Sequence, residues 1–137
     1  MKEITVEAKT ENIELVTDFV NSMLEEADCP MKRQVQIDVA VDELFGNIAH
    51  YAYGEGTGEA TVRVEILENP PAARLTFIDS GIPYNPLEKE DPDVTLSAAE
   101  RKIGGLGIFM VTKMASGIEY EYSGNRNILA VTFSLVQ

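Results

Sequence analysis

The stretch DELFGNIAHY, residues 42–51, belongs to a helical pattern with two unlike faces. Glu43, Asn47 and His50 are spaced i, i+4 and i+7, which places them on one side of a helix. Apolar residues at helical spacing predict that the other side is buried. The core candidates of this helix are Val35, Val39, Leu44, Phe45, Ile48 and Ala52. A helix with one apolar side must pack against another layer, so a second layer of structure is expected.

Strand and helix signals on both sides of this stretch supply that layer. The predicted helices cover about 12–27, 31–53 and 106–117, and the predicted strands cover 3–8, 60–67, 73–79, 118–122 and 128–136. Thr10 or Asn12 is the expected N-cap of the first helix, and Gly117 the expected C′ residue of the third. This order predicts an α+β two-layer sandwich, with three main helices on one face of a mixed, mostly antiparallel sheet.

Composition limits the class of protein. The 137 residues suit a single domain, and 45% hydrophobic with 25% charged residues is typical of a globular chain. A net charge of −12 without a basic stripe argues against a nucleic-acid partner, and no apolar run reaches the roughly 20 residues of a membrane helix. The single Cys29 and the lack of a signal-peptide pattern predict a cytoplasmic location. An acidic chain can still bind a nucleotide through Mg²⁺ and backbone amides.

A carboxylate and an amide one helical turn apart suit two tasks at one site. The Glu43 carboxylate can orient or deprotonate a nucleophile, and the Asn47 amide oxygen can ligate a hard cation such as Mg²⁺. The same spacing also fits a solvated polar helix face. His50 is interpreted as a supporting residue.

A second cluster lies in FIDSGIPYNP, residues 77–86. Asp79 ends an apolar strand, and Gly81 follows two residues later. A buried carboxylate can accept a hydrogen bond from the amine of a purine, and a glycine beside it lets the ring come close. An ordinary Asp-Ser-Gly turn is the alternative interpretation.

A third cluster is RKIGGLGIF, residues 101–109, in which three glycines lead into a helical pattern. Glycines before a helix N-terminus expose amides and a positive dipole end to phosphate, although they also simply permit a bend. Neither a Walker loop nor a Rossmann loop fits, because no Gly-Lys-Ser/Thr follows and no strand directly precedes. The long segment 80–103 predicts a lid or binding loop.

Together these clusters resemble the GHKL ATPase superfamily, which includes gyrase, the heat-shock chaperone, histidine kinases and the mismatch-repair ATPase. ELFGN (43–47) is similar to its N box, DSG (79–81) to its first glycine box and GGLG (104–107) to its second. DELFGNIAHYAY, DSGIPYNP, DPDVTL, ERKIGGLGIFMV and NRNIL further resemble the stand-alone anti-sigma-factor serine kinases. The resemblance covers the whole chain, 1–137, as one domain with the Bergerat ATP-binding fold.

The resemblance implies a role for each matching residue. It implies Glu43 as general base, Asn47 as Mg²⁺ ligand, and Asp79 as adenine contact with Gly81 beside it. It implies that Gly104, Gly105, Leu106 and Gly107 form the phosphate loop and that 86–103 is the ATP lid. Arg101, within that segment, is either a phosphate contact or a solvated surface charge.

The function implied is that of an ATP-binding anti-sigma factor and protein-serine kinase, using ATP and Mg²⁺. Such proteins bind a sigma factor, phosphorylate a serine on an anti-anti-sigma partner, and form a homodimer. Tyr84, Asn85 and Ser116 depart from the commoner residues of this branch, which bears on partner identity more than on ATP binding. The alternatives are a regulatory binding module that ATP gates without turnover, a scaffold that has lost nucleotide binding, and a catalytic fragment of a histidine kinase, which the short length and the branch-specific flanks disfavour.

Overall fold

The computed structural model describes residues 1–88 and 105–136, with the backbone alone described at 105 and 106. In this part of the chain, three α-helices pack on one five-stranded sheet. The helices are α1 (Ile13–Glu26), α2 (Met31–Asn47) and α3 (Gly105–Met114). The strands are β1 (Lys2–Glu7), β2 (Glu59–Leu67), β3 (Ala72–Asp79), β4 (Gly117–Ser123) and β5 (Arg126–Ser134). The predicted α+β class is confirmed.

The sheet has the strand order β1-β2-β3-β5-β4. Each of the described neighbouring pairs is antiparallel, so the parallel component that a mixed sheet allows is not found among these strands. The crossover through α3 delivers the chain to the edge strand β4, and a tight hairpin then returns β5 beside β3. Gly124 and Asn125 form the predicted hairpin turn, with φ of 60° and 61°, which is the positive-φ pair that a two-residue turn of type I′ requires.

One face of the sheet is buried under the helices because successive strand residues point to opposite sides. Its core residues are Ala60, Val62, Val64, Ala73, Leu75, Phe77, Leu129, Val131 and Phe133. The strand register places Ala60, Asp79 and Asn127 side by side in the next row of this same face. The end of the apolar face therefore carries a carboxylate and an amide.

The helix α2 packs with a different stripe from the one predicted at its beginning. Leu44 and Phe45 are buried, and so are Ile48 and Ala52 in the turn that follows, as predicted. Val35 and Val39 were expected in the core, but their side chains are 54% and 42% exposed. Ile37 and Val41 are fully buried in the core instead, and the two valines lie on the outer side of the helix.

The two predicted helix ends have different outcomes. Asn12 is the N-cap residue of α1, as one of the two predicted candidates, and it ends a 3₁₀ turn, Thr10–Asn12; its side chain donates to the carbonyl of Glu7 at 2.9 Å and makes no capping hydrogen bond. Gly117 is not a C′ residue, because α3 ends at Met114 and Gly117 begins β4. A guanidinium from α2 serves that helix end instead, since Arg33 Nη1 donates to the carbonyl of Met114 at 3.3 Å.

Asp38 places a partly buried carboxylate in the contact between α1 and α2. Its Oδ1 atom and the Oδ1 atom of Asn21 on α1 are both buried without a hydrogen-bond partner among the described residues. Burial raises the pKa of the Asp38 carboxyl, opposed by a hydrogen bond from Asn21. A folded-state pKa above the unfolded value means that ionisation of this group destabilises the fold. That cost is present at neutral pH and disappears as the pH falls below the unfolded value of about 3.9.

We therefore expect Asp38→Asn to raise the unfolding temperature at pH 7 and to leave it almost unchanged near pH 3.5. Removing the charge of a buried, unsatisfied carboxylate should raise the free energy of unfolding by about 1 kcal/mol or more. In a domain of this size that corresponds to a rise in the unfolding temperature of roughly 3–5 °C. Circular dichroism melts at the two pH values measure this. Asp42→Asn, at an exposed position of the same helix, is the control and should show little shift. An Asp38→Asn protein that melts below the wild type at pH 7 would contradict this account.

Candidate functional site

A cavity of about 500 Å³ lies where the end of α2 meets the inner face of β3, β5 and β4. Its walls are mostly apolar, and its polar groups are Asn47, Asp79 and Asn127 together with the tyrosines Tyr51, Tyr84 and Tyr120. The size lies in the range of about 300–1,000 Å³ that small-molecule sites occupy. An apolar cavity with a few convergent polar groups is suited to a flat, partly polar ligand such as a nucleobase.

Asp79 is the last residue of β3 and is only 7% exposed. Its Oδ1 atom accepts two hydrogen bonds, from the backbone N–H of Gly81 and from Nδ2 of Asn127, each at 2.9 Å. No donor in the described part of the chain bonds its Oδ2 atom, and the residue lines the cavity. The Asp-Ser-Gly turn and the role as an acceptor for a purine amine are therefore compatible, because the turn uses Oδ1 of Asp79 and leaves Oδ2 for a ligand.

Gly81 lets the loop after β3 approach the end of the helical turn Ile48–Ala52 that follows α2. A Cβ at this position would lie 2.1 Å from the carbonyl oxygen of Ala52, which is backbone and cannot move aside cheaply. The N–H of Ile82 donates to that same oxygen at 2.9 Å. The structure thus requires a glycine here for packing within the chain, and the closeness of a bound ring remains a prediction.

Asn47 and Asp79, predicted to share a site, line the same cavity. Asn47 ends α2, and a π-helical turn, Ile48–Ala52, continues from it. The wider π turn, with its i→i+5 hydrogen bonds, brings Tyr51 rather than His50 to the cavity wall. His50 is exposed and lies beside the Tyr51 ring, at 6.0 Å between centroids, so it is at most a neighbour of the site.

Glu43, one turn before Asn47, packs directly against α3. A Cβ on Gly107 would lie 2.1 Å from Cδ of Glu43 and 2.2 Å from its Oε2 atom. Gly107 belongs to the first turn of α3, where the helix dipole and unpaired amides favour a carboxylate. The absence of a side chain at 107 is therefore what lets this carboxylate reach its observed position.

Two partly buried tyrosines support the polar end of the sheet. Tyr53 donates to the carbonyl of Glu59 and accepts the N–H of Ser80 at 2.9 Å, while Tyr120 donates to Oδ1 of Asn127. Burial raises the pKa of both phenols. Tyr53 thus joins the start of β2 to the loop after β3, and Tyr120 joins β4 to β5.

Part of the predicted phosphate site lies outside the described residues. Arg101 and Gly104 fall there, as does most of the predicted lid 86–103, of which the 3₁₀ turn Pro86–Glu88 is described. Gly105 and Leu106 are the first two residues of α3 and are described by their backbone. Their contacts with a ligand, and those of Gly107, stay predictions.

Sequence reasoning missed Asn127 and Tyr120 as site residues. Asn127 was quoted within NRNIL without a role, yet it is 6% exposed and bonds Asp79. A signal was available in the alternation of β5, where the inward positions 129, 131 and 133 are apolar and 127 is an amide. A buried amide needs partners, so it points to a polar network at that end of the strand.

The α+β fold and this apolar cavity fit a nucleotide-binding domain of the GHKL superfamily. The sequence profile described as the histidine kinase-like ATPase domain matches residues 6–133, and the chain belongs to that family. No curated protein sequence gives a significant match.

Solved histidine kinases share the fold. The histidine kinase domain of the blue-light-activated kinase EL346 from Erythrobacter litoralis aligns with a TM-score of 0.56 and 19% identity, covering 77% of this chain and 46% of that one. A second structure of that kinase aligns with a TM-score of 0.56 and 18% identity, covering 79% of this chain and 32% of that one. The histidine kinase AdeS of Acinetobacter baumannii aligns with a TM-score of 0.51 and 14% identity, covering 100% of this chain and 70% of that one. This chain thus spans less than half of the two EL346 chains, and these identities establish the fold alone.

Two further features concern the membrane and metal expectations. No helix in residues 1–88 and 105–136 is long and apolar enough to cross a membrane. Within the same ranges, no cluster of three or more His, Cys, Asp or Glu side chains could hold a metal ion. The Mg²⁺ expectation rests on a different donor set, one amide oxygen completed by phosphates and water.

Proposed function

We propose that this protein is an ATP-dependent protein-serine kinase that also acts as an anti-sigma factor. It binds a sigma factor and phosphorylates a serine of an anti-anti-sigma partner. Membership of the histidine kinase-like ATPase family supports ATP binding and kinase-type chemistry. The observation that carries the proposal is the buried Asp79 carboxylate, with one oxygen unused by the described chain, in a cavity that also contains Asn47. The resemblance of the sequence around the three boxes supports the serine-kinase branch.

Adenine suits the cavity because its exocyclic amine can donate to Oδ2 of Asp79. The apolar walls, with Tyr84 and Tyr120 among them, remove the ring faces from water. The residues present therefore fit an adenine nucleotide at this end of the site.

The phosphates would extend from this cavity towards α2 and α3. Asn47 would supply one oxygen ligand to Mg²⁺, which neutralises phosphate charge when it is bound. The backbone amides at the start of α3 would bind phosphate oxygens, as helix N-termini commonly do.

Glu43 would act as the general base in the transfer step. It takes the proton of the serine hydroxyl as the serine oxygen forms a bond to the γ-phosphorus of ATP. The bond from that phosphorus to the bridging oxygen breaks, and ADP leaves with the electron pair. The close approach to Gly107 supports this role, because it places the carboxylate at the start of α3, where the phosphates are expected.

The direct test is incubation with labelled ATP and the anti-anti-sigma-like protein encoded nearest to this one. We expect label on a serine of that protein. A chain that is saturated with Mg-ATP but transfers no label would instead be an ATP-gated binding module.

Sigma-factor binding, a homodimer and a cytoplasmic location complete the proposal. Sedimentation of the chain, alone and with candidate sigma factors, tests the first two.

We expect ATP to bind at least about tenfold more tightly than GTP in the presence of Mg²⁺. Guanine carries a carbonyl where adenine carries its amine, so Oδ2 of Asp79 would face an acceptor. An unpaired buried polar group costs about 1–3 kcal/mol, which corresponds to this ratio or more. Isothermal titration calorimetry measures it, with Asp79→Asn as the informative variant.

Two N–H donors on Oδ1 should keep the oxygen of the new amide in place, so that its NH₂ group faces the base. Asp79→Asn should then lose affinity for ATP and lose the preference over GTP. Equal affinities of the wild-type protein for ATP and GTP would contradict the assignment of Asp79.

A further inference from the structure

Asn127 makes four side-chain hydrogen bonds at the cavity. It lies on β5 directly beside Asp79 in the strand register, on the buried face of the sheet, and its side chain is 6% exposed. It also lines the cavity. A polar side chain this deeply buried needs a partner for each of its hydrogen-bonding groups.

The four hydrogen-bonding positions of this amide are all used within the protein. Nδ2 donates to Oδ1 of Asp79 and to the carbonyl of Ile82, both at 2.9 Å. Oδ1 accepts the N–H of Tyr84 at 3.0 Å and the hydroxyl of Tyr120. An exchange of the nitrogen and oxygen would set the NH₂ group against the Tyr84 N–H, so these partners determine the orientation of the amide.

This arrangement has two consequences for a ligand. Asn127 has no hydrogen-bonding capacity left for a base, so it acts through its neighbours. It occupies Oδ1 of Asp79 and thereby leaves Oδ2 as the acceptor, and it ties Ile82 and Tyr84 of the cavity wall to β5.

We propose that Asn127 is a specificity-determining positioning residue, which sets the choice of adenine over guanine by fixing the orientation of the Asp79 carboxylate. This inference rests on the proposed binding of ATP. It assigns base selectivity to a pair of residues on neighbouring strands rather than to Asp79 alone.

The experiment compares Asn127→Ala with the wild type by calorimetric titration with Mg-ATP and with Mg-GTP. We expect the affinity for ATP to fall about tenfold and the affinity for GTP to change little, so that the ratio between them approaches one. Asn127→Asp keeps the shape of the side chain and places oxygen against Oδ1 of Asp79 and the Ile82 carbonyl, so it should lose more. Tyr120→Phe removes one of the donors that orient the amide and should have an intermediate effect.

Val131→Ala is the matched control. Val131 lies on the same strand and the same face, is fully buried and does not line the cavity, so this variant lowers stability without touching the network. Its ATP-to-GTP ratio should equal that of the wild type. Near-ultraviolet circular dichroism verifies that each variant is folded, and Asn127→Ala carries the test if Asn127→Asp does not fold.

The outcomes separate this inference from the proposed function. A wild-type protein that binds neither nucleotide would overturn the proposed function before any variant is compared. A wild-type protein that prefers ATP, together with a folded Asn127→Ala variant of unchanged affinities and ratio, would overturn the role of Asn127 alone. A change of ratio as large in Val131→Ala would also overturn it, because general loosening of the domain would then explain the effect.

Discussion

Replacing Glu43 with glutamine should slow phosphate transfer to the serine partner by about 10²–10⁴-fold and leave Mg-ATP bound. Glutamine keeps the length of the side chain and its place against Gly107, but it cannot take the proton of the attacking hydroxyl. Single-turnover transfer and calorimetric binding, measured on the same preparation, show whether the loss is confined to the transfer step.

Two further variants of α2 make this result specific. Asp42→Asn removes the same charge from an exposed neighbouring position and should transfer at the native rate. Asn47→Ala removes the expected Mg²⁺ ligand and should weaken both binding and transfer, because the ion contacts the phosphates in both states. If Glu43→Gln transfers phosphate as fast as the wild type, the kinase loses its base, and the ATP-gated binding module becomes the better description.

Replacing Gly107 with alanine should reduce transfer by about 10²-fold, which is the cost of displacing a reacting group by about 1 Å. The new Cβ would lie 2.1 Å from Cδ of Glu43, so the carboxyl group has to leave its position. The rate of transfer should fall more than the affinity for Mg-ATP, because the substitution displaces the Glu43 carboxylate more than it disturbs the cavity proposed to bind adenine.

Gly46→Ala is the matched control for this prediction. Gly46 is also a helical glycine, but a Cβ there has no neighbour within 4 Å, so alanine should retain transfer and stabilise the helix by about 0.5–1 kcal/mol. A double-mutant cycle with Glu43→Asp tests the contact itself. The shorter side chain withdraws from position 107, so the double variant should transfer faster than the two single effects combined would predict. Strict additivity, or a native rate in folded Gly107→Ala, would show that position 107 does not place the base.

The candidate site was largely predictable as a set of residue types and much less as an arrangement. Asn47 and Asp79 were expected to meet, and they line one cavity. The tight turn before β5 and the burial of Leu44 and Phe45 were also predictable, since glycine with asparagine and a helical apolar period are local signals. Val35 and Val39 show the limit of that signal. Periodicity identifies an apolar stripe, but which stripe is buried depends on where the sheet lies.

The sequence by itself determined the class of this protein. The order of its helices and strands, the three boxes and their spacing require only local patterns, and they led to an α+β nucleotide-binding domain, in agreement with the family match. Tertiary structure alone decided where α3 lies against α2 and which polar side chains meet at the end of the buried sheet face. Gly107 meets Glu43 across 64 residues of chain, and Asn127 meets Asp79 across 48, because strand register and helix packing bring them together. Contacts of this kind arise from the packing of whole elements, which local sequence patterns do not record.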